Sequence, residues 1–299
     1  MMSKAELVLE ARQRVQGKKA MQPCVGDSTH ERVRPFLRWA GSKRQLVSKL
    51  AQYWTPQDRR YVEPFAGSAC LFFRLCPDNA LLGDINGHLI ATYQQVKDRA
   101  DEVSACLSRL ERGRAKYMEL RAADSERLAP PEQAARFIYL NRFCFNGLYR
   151  TNRAGGFNVP YGGEKAGAVP SAALLAECSK LLQKAELIPG DFAKVLARVD
   201  RGDFVYMDPP FSTTTRRIFN EYAPSVFGAG DIQRLRNWME DLDARSIPFL
   251  ISYAECNEAE FLRRGFHAET VTVKRNIAGF AANRGHSSEL LISNRRPIA

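Results

Sequence analysis

The tetrad Asp208-Pro209-Pro210-Phe211 closes an apolar run, Phe204-Val205-Tyr206-Met207. An ionised Asp only accepts hydrogen bonds. Two prolines cannot continue a sheet ladder, so the chain turns there and leaves the carboxylate at a strand end. In an open parallel sheet that end faces the ligand crevice. The carbonyl of Pro209 is a second acceptor on a stiff segment. Two acceptors can hold both protons of an –NH2 group and draw its lone pair out of conjugation with a ring, and Phe211 offers that ring a face. A plain strand-end turn can carry the same four residues, so the tetrad gains meaning only in company.

Two further segments provide it. Val62-Glu63-Pro64-Phe65-Ala66-Gly67-Ser68-Ala69 follows another apolar run. A glycine in a strand-to-helix turn lets a cofactor approach the backbone. The chain holds neither the three-glycine dinucleotide fingerprint nor a P-loop. Seventeen residues beyond Gly67, Asp84 ends the next run, where an acid can accept two ribose hydroxyls. Upstream lies Phe36-Leu37-Arg38-Trp39-Ala40-Gly41-Ser42-Lys43. By itself it reads as a core tryptophan and a solvated helix start.

The elements that must position these segments are short apolar runs separated by helical stretches. Strands are predicted at Arg60–Phe65, Ala80–Ile85, Ala185–Ile188, Phe204–Met207, Pro248–Ser252, Glu269–Val273 and Glu289–Ser293. Helices are predicted at Ala69–Leu75 and Leu89–Leu110. Such alternation predicts an α/β fold whose sheet is mostly parallel and covered on both faces. The last two runs alternate in period two around the Gly/Asn/Ser-rich stretch 278–288, which predicts an antiparallel hairpin at a sheet edge. Residues 95–183 break the alternation. From Arg136 to Gly163 come seven aromatics and arginines 136, 142, 150 and 153, with no acid. Cations for phosphate and flat rings for bases suit nucleic acid, although Phe137 and Tyr139 read as core. Residues 1–34 read as an N-terminal tail, with a short helix over 4–14.

Composition narrows the classes. Lys plus Arg is 44 against 33 for Asp plus Glu, a net charge of +11 over 299 residues, which favours a polyanionic partner. The seven cysteines are scattered and the histidines are four. That pattern predicts no disulfide framework and no metal site, and it suits a reducing cytoplasm. Residues 1–20 are polar and lack a signal peptide's apolar segment. No apolar run approaches the ~18 residues of a membrane helix. An enzyme that attacks a base through a Pro-Cys nucleophile would need that pair downstream of these segments, and the only Pro-Cys is Pro23-Cys24. A zinc deaminase would need Pro-Cys-x-x-Cys as partner to His267-Ala268-Glu269.

Taken together, the three segments resemble the Dam family of adenine-N6 DNA methyltransferases, from about Pro35 to Asn294, in the α-type order of cofactor loop, recognition insertion and Asp-Pro-Pro-aromatic motif. The resemblance implies a Rossmann-like S-adenosylmethionine-dependent sheet over 35–94 and 184–299, with a helical target-recognition insertion over 95–183. It implies S-adenosylmethionine as cofactor, contacted by Trp39, Ala40, Gly41, Lys43, Phe65, Gly67, Asp84, Asp191, Phe192 and Asp208. It implies catalysis by Asp208, Pro209, Pro210 and Phe211 on a flipped adenine. Tyr139-Leu140-Asn141-Arg142, Phe145-Asn146-Gly147-Leu148-Tyr149-Arg150 and Phe157-Asn158-Val159-Pro160 resemble the recognition segment of GATC-methylating members. Arg38, Arg142, Phe145, Asn146, Leu148, Arg150 and Pro160 are then the expected contacts to double-stranded DNA. Arg150 would read a guanine, Leu148 and Pro160 a thymine methyl, and Phe145 would fill the gap left by flipping. Arg216, Arg217, Lys274, Arg275 and Arg284 are further phosphate candidates. Phe211 replaces the commoner Tyr, Phe145 a usual Tyr, and Ser42 a usual Gly. The expected enzyme is prokaryotic or phage-encoded, and monomeric or weakly dimeric on DNA. The alternatives are a cytosine-N4 or RNA amino methyltransferase, or a silent DNA-binding relative, although intact Lys43, Phe65, Asp84 and Asp208 argue against the last.

Overall fold

The computed structural model describes residues 33–152, 155–163, 166–211, 227–274 and 286–298. The expected tail before Val33, Arg153, Arg216, Arg217, Arg275, Arg284 and the side chain of Lys274 lie outside the described residues, as do residues 278–285 of the expected turn.

Seven strands form one sheet: β1 Arg60–Glu63, β2 Ala80–Asp84, β3 Ala185–Pro189, β4 Asp203–Met207, β5 Phe249–Ala254, β6 His267–Lys274 and β7 His286–Ser293. Their order is β3-β2-β1-β4-β5-β7-β6. The pairs β1–β2, β2–β3, β1–β4 and β4–β5 are parallel. The pairs β5–β7 and β6–β7 are antiparallel. This is the mostly parallel sheet with an antiparallel edge hairpin that the sequence predicts. Strand order reverses between β1 and β4, so a crevice opens beyond their carboxyl ends.

The strands read as near-continuous apolar runs because both faces are covered. Side chains alternate between faces. Tyr61, Leu82, Phe204 and Tyr206 pack into one core, whereas Val62, Leu81, Val205 and Met207 pack into the other. The first core carries the helices between β2 and β3: Gly87–Ser108, Arg114–Ala122, Pro130–Phe143 and Ala172–Leu182. The second carries Phe192–Leu196, Ala229–Ala244 and Asn257–Leu262. Phe137 and Tyr139 are buried, as expected.

Element ends follow local chemistry. Helix Gly87–Ser108 starts ahead of the predicted Leu89 because the Asn86 Oδ1 accepts from the Leu89 N–H at 3.1 Å, which caps it. At the opposite end of the sheet, fully buried Asp203 pairs with Arg60 at 2.6 Å and Arg59 at 3.2 Å. That pairing ties the amino ends of β1 and β4 together.

Candidate active site

Parallel strands deliver their carboxyl ends to one edge of the sheet. Glu63 ends β1, Asp84 ends β2, Asp208 follows β4, and Asp191 comes two residues after β3. Pro209 is buried and Pro210 exposed, so the prolines carry the chain off the edge.

Asp208 is gripped on one oxygen. Its Oδ1 accepts from the Lys43 Nζ at 2.6 Å and from the Ser252 Oγ at 3.0 Å. The Lys43 side chain is only 3% exposed, whereas that of Asp208 is 21% exposed. The ammonium also donates to the Gly41 carbonyl at 3.2 Å and lies 3.7 Å from Glu289 Oε2. Burial alone would lower the Lys43 pKa, but the Asp208 and Glu289 charges outweigh it and leave it raised. The Phe211 ring lies 5.2 Å from the ammonium and edge-on to Tyr253 at 5.3 Å.

The loop expected to meet the cofactor is clasped from both sides. The Ala66 N–H donates to the Gly83 carbonyl at 2.8 Å, and the Gly67 N–H to Asp84 Oδ2 at 2.9 Å. The Tyr93 hydroxyl donates to the Gly67 carbonyl at 2.7 Å. Gly67 sits at φ +47°, and a Cβ there would lie 2.9 Å from the Trp39 ring. Glycine is therefore required on two counts, conformation and space. Ser42, the departure from the family's usual Gly, pairs its hydroxyl with that of Ser68 at 3.0 Å. Ala40 and Gly41 form the turn between Trp39 and Lys43, with Gly41 at φ +81° and the Ser42 N–H donating to the Trp39 carbonyl at 3.1 Å. A continuous set of contacts thus joins Asp208 through Lys43, Ser42 and Trp39 to Ser68, Gly67 and Asp84.

Asp84 also accepts from the Asn86 N–H at 2.9 Å. Burial raises its pKa, and the two backbone donors offset only part of that. Next to it Ile85 is 63% exposed. On the far side Phe65 stacks on Phe192 at 5.2 Å, and the Arg234 guanidinium covers Phe192 at 4.6 Å. Arg234 also pairs with Asp191 at 2.5 Å, while Asp191 Oδ1 caps helix Phe192–Leu196 through the Ala193 N–H at 2.9 Å. Burial works against the Asp191 charge, but these donors prevail and its pKa is lowered.

The segment expected to recognise DNA is a braced loop. Cys144 bridges to Tyr161 and Thr151 to Phe157, both antiparallel. The Tyr117 hydroxyl holds the Val159 carbonyl at 2.9 Å. Phe145, Leu148, Tyr149, Arg150, Val159 and Pro160 line one open pocket. Phe145 is exposed at its rim, and exposed Asn146 takes the left-handed conformation at φ +55°. Arg150 is aimed by Asn158, whose Oδ1 accepts from its Nε at 2.7 Å. Tyr149 stacks on Trp39 at 6.0 Å, with ring planes 16° apart. Buried Asn141 exchanges two hydrogen bonds with the Arg38 backbone, at 2.8 and 2.6 Å. Arg38 in turn donates to the Arg142 carbonyl at 3.3 Å. Burial and the neighbouring Arg38 and Arg44 cations lower the Arg142 pKa, and among the described residues no carboxylate forms an ion pair with any of the three.

The sequence does not single out Ser252, Arg44 or Arg234, and it gives no role of their own to Ile85, beside Asp84 in the stretch that resembles a ribose-binding motif, or to the buried acid Glu63 of the segment 62–69. Ile85 carried a local signal, an apolar residue directly after a strand-end acid. The others owe their place to partners distant in the chain.

A family model described as D12 class N6 adenine-specific DNA methyltransferase matches residues 39–277. The chain belongs to this family. It is 34% identical over 272 residues to the Type II methyltransferase M1.LlaDCHI of Lactococcus lactis subsp. cremoris, covering 88% of this chain and 95% of that one. It is 33% identical over 267 residues to the DNA adenine methylase of Escherichia coli (strain K12), covering 86% and 94%. With the Type II methyltransferase M.MjaIII of Methanocaldococcus jannaschii it shares 32% over 271 residues, covering 82% and 93%. The D12-class enzyme is thus an adenine-specific DNA methyltransferase, and the cytosine-N4, RNA and silent readings fall away. Among its described residues, no group of three or more His, Cys, Asp or Glu is placed to hold a metal ion. No helix there is long and apolar enough to cross a membrane.

Proposed function

We propose that this D12-class enzyme methylates N6 of an adenine flipped out of double-stranded DNA, within GATC, using the crevice beyond β1, β2 and β4. The observation that carries the reading is the one-sided grip on Asp208. Lys43 and Ser252 both hold Oδ1, which leaves Oδ2 to accept from an incoming amino group.

The donor crevice fits S-adenosylmethionine. Asp84 is fixed by backbone donors with lone pairs to spare for ribose hydroxyls, exposed Ile85 and the Phe65 ring backed by buried Phe192 offer apolar surface for an adenine, and the absence of a side chain at Gly67 lets the loop pack close against Trp39. Trp39, Ala40, Gly41 and Lys43 close the other side, and Asp191 stands at the adenine end. When bound, the cofactor supplies a methyl already activated by its sulfonium. The chain's own residues then have to place the amino nitrogen in line with it. Asp208 and the Pro209 carbonyl hold the two amino protons, Pro210 turns the chain, and Phe211 stacks the base. Flipping costs a few kcal/mol. Stacking returns about 1–3 kcal/mol, and a hydrogen bond to a charged acceptor about 1.5–3 kcal/mol. Neither term alone offsets the flip with room to spare, so both residues matter.

On the DNA side, residues 95–183 act as the target-recognition region. Arg38, Arg44 and Arg142 present charge to phosphate. Arg150 reads a guanine, Leu148 and Pro160 meet a thymine methyl, Asn146 exposes its amide at the rim, and Phe145 fills the vacated space. Incubation with labelled S-adenosylmethionine and an unmethylated plasmid, followed by base-resolution mapping, tests this reading. N6-methyladenine confined to GATC is expected, and label at adenines in other contexts would overturn the specificity. A 2-aminopurine at the target position should brighten on binding if the base is extruded, and unchanged emission would contradict flipping.

A further inference from the structure

Tyr206 on β4 and Ser252 on β5 are both fully buried, yet both carry hydroxyls. Tyr206 pairs in register with Leu250. Asp208 and Ser252 each lie two residues further along, on the same face of the sheet. The Tyr206 hydroxyl is 2.9 Å from the Ser252 Oγ, and Ser252 is 3.0 Å from Asp208 Oδ1. Proton accounting fixes the direction. A carboxylate only accepts, so Ser252 must donate to Asp208. Its single proton is then committed, so Tyr206 must donate to Ser252. Lys43 donates to the same Oδ1, and among the described residues no donor reaches Oδ2.

We infer that Tyr206 and Ser252 are positioning residues for methyl transfer, a two-hydroxyl relay that locks the rotation of the Asp208 carboxylate so that Oδ2 faces the amino group. Without the relay, Lys43 alone holds the carboxylate, and a single donor leaves it free to swing about the ammonium. The relay sits behind the catalytic group, out of reach of DNA and cofactor. Its loss therefore changes the rate of the chemical step and leaves both affinities in place. A hydroxyl pair that only filled the core would alter stability and leave the rate alone. The inference rests on the reading of Asp208 as the amino acceptor.

Single-turnover methylation by the full chain, with labelled S-adenosylmethionine and GATC duplex, tests it through Ser252→Ala, Tyr206→Phe, the double variant and Asp208→Ala. Ser252→Ala should slow transfer by about 10–100-fold, the effect of one hydrogen bond to a charged group. Tyr206→Phe should slow it less, by about 3–10-fold, because one hydroxyl still reaches Asp208. The double variant should be no slower than Ser252→Ala, since the tyrosine hydroxyl acts only through the serine. Cofactor and DNA dissociation constants should stay within about twofold of the parent. Full speed in Ser252→Ala, or losses that simply multiply in the double variant, would overturn the relay. Should Ser252→Ala fail to fold, Tyr206→Phe, which keeps the ring in place, decides the matter by its rate. Asp208→Ala separates the two levels. Turnover by that variant removes the reading of Asp208, whereas a silent Asp208→Ala beside an unimpaired Ser252→Ala removes only the relay.

Discussion

Burial lifts the Glu63 carboxyl well above the usual carboxylate range, the Tyr61 hydroxyl at 3.0 Å offsets part of this, and the Asp208 and Asp84 charges add to it. In the unfolded chain the same group gives up its proton near about pH 4.3. Between that point and the raised folded value, the folded state holds a proton that the unfolded state has released. Stability from this group is therefore full below the unfolded pKa and falls as pH rises, by up to about 1.4 kcal/mol per pH unit. Glu63→Gln should flatten the decline in melting temperature as pH rises above about 4.3, and parallel curves for the two proteins would contradict the assignment. Arg150 carries a different prediction. Arg150→Ala should relax sequence choice, with about 1–3 kcal/mol of discrimination lost at one base, and Asn158→Ala should do the same more weakly. Equal weakening on all duplexes would make Arg150 a phosphate contact instead. The type and motif of Arg150 are legible in the sequence. The carboxamide that aims it is not, because the strand-like pairing of 150 with 158 depends on the folded loop.

Elements place these residues, and Gly67 shows how narrowly. At φ +47°, with the Trp39 ring 2.9 Å from where a Cβ would stand, any side chain meets both strain and collision. Gly67→Ala should cost about 1–2 kcal/mol of stability from the backbone conformation, with a further loss in cofactor affinity as the loop shifts from Asp84. Thermal melts and a cofactor titration check both, and unchanged affinity would mean that this loop does not form the crevice wall. The strands that carry the site were legible because β-branched and aromatic runs end in Gly, Pro and acids, the punctuation of parallel strands. The hairpin was legible from its period-two alternation, although β6 and β7 run longer than their apolar patterns because paired polar residues extend the ladder. The Trp39–Tyr149 stack was not legible. Trp39 looked like core, and no local pattern tells that its far face meets a ring 110 residues on.

At the scale of the whole molecule, the net charge of +11 sets how the enzyme meets DNA. Each phosphate neutralised by a cation releases counterions and steepens the salt dependence of binding. Arg38, Arg44 and Arg142 stand near one another beside the proposed recognition region without carboxylate partners among the described residues. Arg142→Ala should reduce the slope of log K against log salt by about 0.9 and weaken all duplexes alike. An unchanged slope would make Arg142 a structural cation, held to the Ala168 carbonyl at 2.7 Å. Charge sign and magnitude were plain from composition. The face that concentrates it depended on Asn141 pinning Arg38 across 103 residues, a pairing that only the fold creates.

Asp208→Ala tests the central claim most directly, with cofactor affinity measured by calorimetry and methyl transfer to a GATC duplex measured in parallel. Loss of transfer to background with cofactor affinity largely retained is the predicted result. Substantial turnover by the variant would contradict the role given to this carboxylate.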